Sequence, residues 1–472
     1  MTQIGEIRPS QMLWTYGPGA LIDLPNMSVI TLSTDRWPQA HCHPVHEARL
    51  LSSVQSILGP SVQELLMPPL VDNDNDNPNN PLAHIGVPVM AFPRWMRCVK
   101  CGLLSPCDSN LFKLKKNDFR PEQTRYVHAS CRGSKGDQPA RDADAVPARF
   151  LTACRAGHLD DFPWHWFVHR GPDACSGTLR FYESGASLQT ENLWVQCDQC
   201  GKSRNMAQAF GRAGVNNLPA CRGRHPHLNS FDDECKEEPR GIILGASNGW
   251  FPVTLSVLAI PMAGEPLAQI VADGWKMLET IKERSHVDLI LPGLIASGQL
   301  PGLDQYANDK IWDAIEAHRN GGSTIDQRDL KGPEWEVLTE KEPPKDYPYF
   351  MSKTVSLPRG FEDVFERVLL LERLREVNAL LGFTRVEAPE EGQGDEAAPR
   401  APLSRSAPDF VPATEVHGEG IFIQFKIDRL KSWSELESVK KRDAMLFQGH
   451  RGWRHKRNMD PNEGYPGVRY LL

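Results

Sequence analysis

The sequence predicts an α+β fold of several domains, and three observations carry that prediction. Strand-like runs such as MSVITLS and GEGIFIQFKID are interspersed with segments whose apolar residues recur at helical spacing. With 472 residues, the chain is long enough for two to four domains. Ten of its eleven cysteines fall between Cys98 and Cys235, which marks that stretch as a region of its own.

In chain order, residues 1–93 read as an N-terminal α+β region. Gly17-Pro18-Gly19 makes a turn before the strand-like MSVITLS. Leu50 to Leu66 carries apolar residues at helical spacing, broken at Gly59-Pro60, and a polar loop, VDNDNDNPNN, follows. Residues 94–240 form the cysteine-rich region, where TLRFYESGASLQTENLWVQC reads as a hairpin. Residues 241–386 form an α+β and helical region. Two strand-like segments lie in RGIILGASNGWFPVTLSVLAIP, and helices are expected in PLAQIVADGWKMLETIKER and LDQYANDKIWDAIEAHRNGG. The clearest expected helix is Phe361–Leu381, where Phe361, Val364, Phe365, Val368, Leu371, Leu374 and Leu381 make one stripe and Gly382 stands where a cap belongs. Residues 387–409, rich in Pro, Glu and Gly, read as a flexible linker. Residues 410–472 read as a basic C-terminal segment that begins a longer domain.

The cysteines repeat one local device. CVKCG and CDQCG each precede a Cys-Arg-Gly, at Cys131 and Cys221. A Cys-x-x-Cys turn brings two thiolates to one Zn²⁺, and tetrahedral closure needs two further ligands from elsewhere. The glycine after the second cysteine suits a turn that needs positive φ or close backbone approach. We therefore expect two zinc-knuckle modules, each holding one structural ion. The first would use Cys98, Cys101, Cys131 and Cys154, with His128 or His158 as rivals for the fourth place and Cys107 as the spare. The second would use Cys197, Cys200, Cys221 and Cys235, with Cys175, His225 and His227 as rivals. Buried free thiols or disulfides are the alternative, and two Cys-x-x-Cys-Gly pairs argue against it. Cysteines paired as metal knuckles fit a reducing, cytoplasmic compartment. The start of the chain has no signal-peptide pattern, and the longest apolar run, Val253–Ile260, is too short to span a bilayer.

The formal net charge is −7, but it is unevenly spread. Arg94 to Lys135 carries +7, Gly201 to His225 carries +5 and Arg429 to Arg457 carries +6, so the remainder holds −25. That pattern suggests a cationic surface on an acidic body. The candidate phosphate contacts are Arg97, Lys100, Lys113, Lys115, Lys116, Arg222 and Arg224. The tail adds Lys440, Lys441, Arg442, Arg451 and Arg454, interleaved with Trp433, Phe447 and Trp453. Cations for phosphates and rings for bases are what single-strand grooves use. A helix with a basic outer face is the plainer reading of the tail.

His158, Asp160 and Asp161 could form an acid–base or metal cluster, but no nucleophile or positioned base accompanies them, so a structural turn is preferred. No Walker A loop, Gly-x-Ser-x-Gly, His-Glu-x-x-His or dinucleotide fingerprint is present. No catalytic residue is expected, and any ATP use is expected from a partner chain.

Five segments, IRPSQMLWTYGPGALIDLP, FPRWMRCVKCG, ARFLTACRAGHLDDFPW, CRGRHPHL and ASNGWFPVTLSVLAIP, together resemble the DrmB family, helicase-associated subunits of the bacterial DISARM anti-phage defence systems. The resemblance implies a heterodimer with DrmA, a superfamily-2-type helicase that supplies the ATP site. It also implies DNA with a single-stranded portion as substrate, and a role in recognising invading phage DNA. In that family a further region begins near a stretch like YPGVRYLL, so this chain is expected to correspond to the larger N-terminal part. The expected function is a non-catalytic, zinc-stabilised DNA-binding accessory subunit. A metal-dependent nuclease using His158, Asp160 and Asp161, or a purely protein-binding scaffold, are the rival readings.

Overall fold

A computed structural model describes residues 7–70, 85–260, 267–341, 347–389 and 400–455, apart from short interruptions at 134–135, 173–174, 184–189, 212–213, 215, 269, 272–273, 298–299, 301 and 320–329, together with 460, 464, 465 and 467. The loop VDNDNDNPNN, Gly321-Gly322, Lys456 and Arg457 lie outside the described residues. The chain is α+β and divides into two units. One comprises Met1–Val257, Leu267–Leu330 and Glu376–Val416; the other comprises Leu258–Pro266, Lys331–Arg375 and His417–Leu472.

The first unit carries an antiparallel sheet of eight strands through the cysteine-rich region. Its order is Ser203–Asn205, Leu193–Cys197, Leu179–Glu183, Leu103–Pro106, Trp95–Cys98, Arg141–Pro147, Arg125–Cys131 and Phe112–Lys115. The expected hairpin is there, with Leu179 opposite Cys197 and Glu183 opposite Leu193. A second, three-stranded sheet pairs Phe150–Ala153 with Leu159–Asp161 on one side and Arg240–Ile243 on the other. Between these sheets' residues lies an aromatic core of Phe150, Phe162, Trp164, Phe167 and Phe181. Aromatic rings bury much apolar area on few rotatable bonds, which suits strands of only three to five residues.

Elsewhere in this unit, the helix Ala48–Leu58 ends at Gly59, whose φ of 102° stops it at the expected break. Helices Arg284–Ala296 and Asn308–Arg319 pack around Val287, Leu291, Ile311 and Ile315. Arg385 is fully buried over the ring of Phe383 and donates to the carbonyls of Gly19 (2.7 Å), Gly157 (2.9 Å) and Gly249. Burial pulls its guanidinium down to about 9, still far enough above neutrality to stay charged.

The expected helix Phe361–Leu381 is instead part of a strand, Phe365–Thr384. From Val377 to Thr384 every residue is buried, with no alternation. A run buried on both faces has no period of its own, and pairing then overrides the helix propensity of Leu, Glu and Arg. In the second unit, Leu369–Leu374 of this strand pairs with Phe350–Thr354. Gly382 does not cap a helix; a Cβ there would stand 2.8 Å from the Ala401 carbonyl, so glycine permits a close backbone crossing. The expected linker is likewise partly packed. Ala401 and Leu403 are buried against Leu13, Leu380 and Phe383, while residues 390–399 lie outside the described residues. Both glycines and three of the four glutamates of 387–409 fall in 390–399, but three of its four prolines do not.

Candidate metal centres and basic surface

Among the described residues, nine of the eleven cysteines gather with three histidines into three groups of four: Cys98, Cys101, His128 and Cys131; Cys154, His158, Cys221 and Cys235; and His169, Cys175, Cys197 and Cys200. Within each group all donor atoms lie within 4.8 Å of one another. These groups could hold metal ions.

The two knuckles are built alike. In each, the glycine after the second cysteine has positive φ, 70° at Gly102 and 73° at Gly201. Its N–H bonds the carbonyl of the first cysteine, Cys98 or Cys197, at 3.0 Å. Strand Trp95–Cys98 delivers the first knuckle, and strand Arg125–Cys131 brings both His128 and Cys131. The Cys-Arg-Gly turns also match: the N–H of Gly133 points to the Cys131 sulfur at 3.5 Å, and that of Gly223 to the Cys221 sulfur at 3.4 Å. The helix Trp164–His169 ends on His169, which reaches the Cys200 knuckle. Cys154 and His158 flank a turn between two paired strands, and the Cys221 and Cys235 loops close onto it.

The geometry fits a tetrahedral ion. Donors at the usual Zn–S and Zn–N distances would give S–S edges of about 3.8 Å and S–N edges of about 3.5 Å. The S–S separations are 3.8 Å for Cys98–Cys131, 3.8 Å for Cys154–Cys221, 3.9 Å for Cys154–Cys235 and 3.6 Å for Cys175–Cys197. The S–N separations are 3.4 Å for Cys101–His128, 3.2 and 3.6 Å for His158 with Cys154 and Cys221, and 3.4 Å for Cys200–His169. None of the eleven cysteines is joined in a disulfide, and these spacings are far too long for one.

The thiols are electrostatically uneven. Cys101 accepts a hydrogen bond from Cys98 and is drawn down to about 4, while Cys98 is pushed up. The hydrogen bond that Cys221 shares with Cys154 likewise draws Cys221 to about 4, with Cys154 pushed up. At Cys197 burial opposes ionisation, but the backbone N–H groups of Cys200 and Gln199 outweigh it and hold the thiol at about 7. Each group thus ionises one sulfur readily and resists the next, which a cation would reverse. His158 turns its Nδ1 to the sulfurs and its Nε2 to Asp232 at 2.7 Å; Asp232 also reaches His225 at 3.3 Å. A carboxylate on the far nitrogen is the arrangement that fixes the ring of a metal-binding histidine.

The grouping differs from the expected pair of four-cysteine sites. Cys154 stands with Cys221 and Cys235, not with Cys98, Cys101 and Cys131, where His128 takes its place. Cys197 and Cys200 stand with His169 and Cys175. Strand pairing, which spacing does not encode, decides these partners. His169 was not singled out at all; its signal was a histidine closing a short helix in the same region. His227, once a rival, donates instead to the Pro402 carbonyl at 2.9 Å, and burial pulls it down to about 3.

The basic residues divide sharply. Lys100, Lys113, Lys115 and Lys116 are exposed. Arg97 and Lys115 face acids, Glu183 at 2.5 Å and Asp142 at 2.7 Å. Arg222 and Arg224 both bind Asp160, at 2.6 and 2.7 Å, and Arg224 also binds Asp161 at 3.0 Å. In the second unit, Lys440, Lys441, Arg442 and Arg451 are exposed on the helix Glu437–His455, with Lys440 bonded to Glu435 at 2.7 Å. Arg454 departs from the expected surface: it is 3% exposed, and its guanidinium donates to the Asp460 carbonyl. It closes the end of that helix, where cations are favourable.

No helix among the described residues is long and apolar enough to cross a membrane. The chain is similar to the DISARM protein DrmB of Bacillus paralicheniformis, 29% identical over 383 residues, which is 78% of this chain. It spans 64% of that protein's length. Residues 8–251, more than half of the chain, match the family described as "Domain of unknown function (DUF8724)", and the chain belongs to that family.

Proposed function

We propose that this chain is a non-catalytic, zinc-stabilised, DNA-binding accessory subunit of a helicase complex in bacterial defence against phage. The observation that carries the metal part is the set of three Cys₃His groups with tetrahedral edge lengths. Three thiolates and an imidazole are a donor set for Zn²⁺, and four protein ligands leave no open position for a substrate or water. The ions would hold short strands and loops together, and are structural. Three, rather than two, are expected per chain.

The defence role, the helicase partner of the DrmA type and the DNA substrate are carried over from the similarity to DrmB. The DNA surface would run over Lys100, Lys113 and Lys116, with Arg97, Lys115, Arg222 and Arg224 contributing beside their acidic neighbours. Lys440, Lys441, Arg442 and Arg451 would add contacts from the tail. Asp160 and Asp161 are held by Arg222 and Arg224, and His158 faces the sulfurs, which supports a non-catalytic reading over a nuclease.

DNA affinity of the helicase complex, measured against salt, tests the reading. Contacts to phosphates give a steep linear dependence of log affinity on log salt. Replacing Lys113, Lys115 and Lys116 by Gln should lower the slope by about 2 on single strands, since each contact contributes about 0.7. A flat dependence in the unaltered complex rules the DNA surface out.

A further inference from the structure

A cavity of about 370 Å³ opens beside the Cys154 group and is lined in part by Trp95, Trp164, His165 and Trp166. Its size is at the lower end of small-ligand sites and has room for one nucleoside. The rings are tightly set: Trp95 lies 6.4 Å from Trp164 and meets His165 edge-on at 5.9 Å. Trp164 is 1% exposed, whereas Trp95 and Trp166 are half-buried and keep part of their rings accessible.

The charged lining suits an anionic strand. Asp160 and Asp161 are matched by Arg224 and Arg222, so they do not repel it. Arg222 keeps 64% of its side chain exposed while lining the cavity, so it has N–H groups to spare. A nucleobase offers the rings of Trp95 and Trp166 a flat face to stack on, and its strand brings a phosphate for Arg222.

We infer that this cavity receives one unpaired nucleobase of single-stranded DNA, stacked on Trp166 beside Trp95, with Arg222 on the neighbouring phosphate. The inference rests on the DNA-binding reading above and names the site within it.

The test compares two 12-mers of equal charge, oligo-dT and an abasic backbone of tetrahydrofuran phosphates, bound to the full metal-loaded chain. One stacked base should favour oligo-dT by roughly 5- to 150-fold. Trp166→Ala should erase that ratio while leaving the salt slope and metal content unchanged, and Trp166→Phe should keep most of it. Equal affinity for the two 12-mers in the unaltered chain overturns the base pocket and leaves the DNA surface standing. Binding of neither overturns both. Should Trp166→Ala fail to fold, the comparison on the unaltered chain still decides, and His165→Ala supplies the second variant.

Discussion

Two parts of the same unit solve the problem of a core by opposite means. The buried cluster around the first knuckle has eight members, and three are the cysteines Cys98, Cys101 and Cys131; two more are alanines. The cluster between helices Arg284–Ala296 and Asn308–Arg319 has ten buried members, every one Leu, Ile or Val. At about 25 cal/mol per Å² of apolar surface, branched aliphatic side chains hold the helices by burial alone. The strands of the first cluster have less such surface, and on the reading proposed above ligand bonds to an ion would supply what burial does not. The lesson is that one chain can gather thiol and imidazole donors where strands are short and polar, and hydrocarbon where helices are amphipathic.

The largest way to break this contrast is to remove the ions. Structural zinc sites contribute on the order of 10 kcal/mol each at neutral pH. Exhaustive chelation should therefore abolish hydrogen-exchange protection in Arg125–Cys131 and Leu193–Cys197 while sparing Asn308–Arg319. Protection that survives in all three would end the comparison. The reverse cut is Leu291→Ala in the helical cluster, where Leu291 is 1% exposed. It should cost about 2–5 kcal/mol in denaturant unfolding and leave three zinc per chain by metal analysis. A smaller effect sharpens the metal side. Asp232→Asn removes the carboxylate behind His158 and should weaken one of three ions by about 10- to 100-fold in chelator competition, with the other two unmoved.

The smallest effect separates buried histidine from ligand histidine. His227 is held near 3 by burial, against 6.5 when unfolded. Between those values the unfolded chain binds the extra proton, so stability is full above about 6.5 and falls as pH drops toward 3. The slope is at most about 1.4 kcal/mol per pH unit. His227→Asn should flatten this part of the pH profile without altering metal content, whereas a ligand variant such as His128→Asn should release an ion.

Local features were legible in the sequence, and long-range ones were not. The Cys-x-x-Cys-Gly turns, the hairpin before Cys197 and the helix stop at Gly59 each follow from a few adjacent residues. The partner of Cys154 does not. It is set by Phe150–Ala153 pairing with Arg240–Ile243, ninety residues away by number, which carries the loops of Cys221 and Cys235 alongside. Phe365–Thr384 was misread for a related reason: once both faces are covered, Val377 to Leu381 lose the alternation that announces a strand. Arg454 illustrates a third limit, because a cation at a helix end and a cation facing solvent look alike in sequence.

Arg385 ties together turns that are far apart in the order of synthesis. Its three acceptors sit at Gly19, Gly157 and Gly249, all inside the 8–251 family match, while the arginine itself lies well outside it. A fragment cut at residue 251 would leave those inward-facing carbonyls without their donor, and the turn between Cys154 and His158 without its brace. On a ribosome, that turn must wait for more than two hundred further residues before its support emerges. The family's matched segment is therefore a unit of descent whose mechanical completion, in this chain, arrives late.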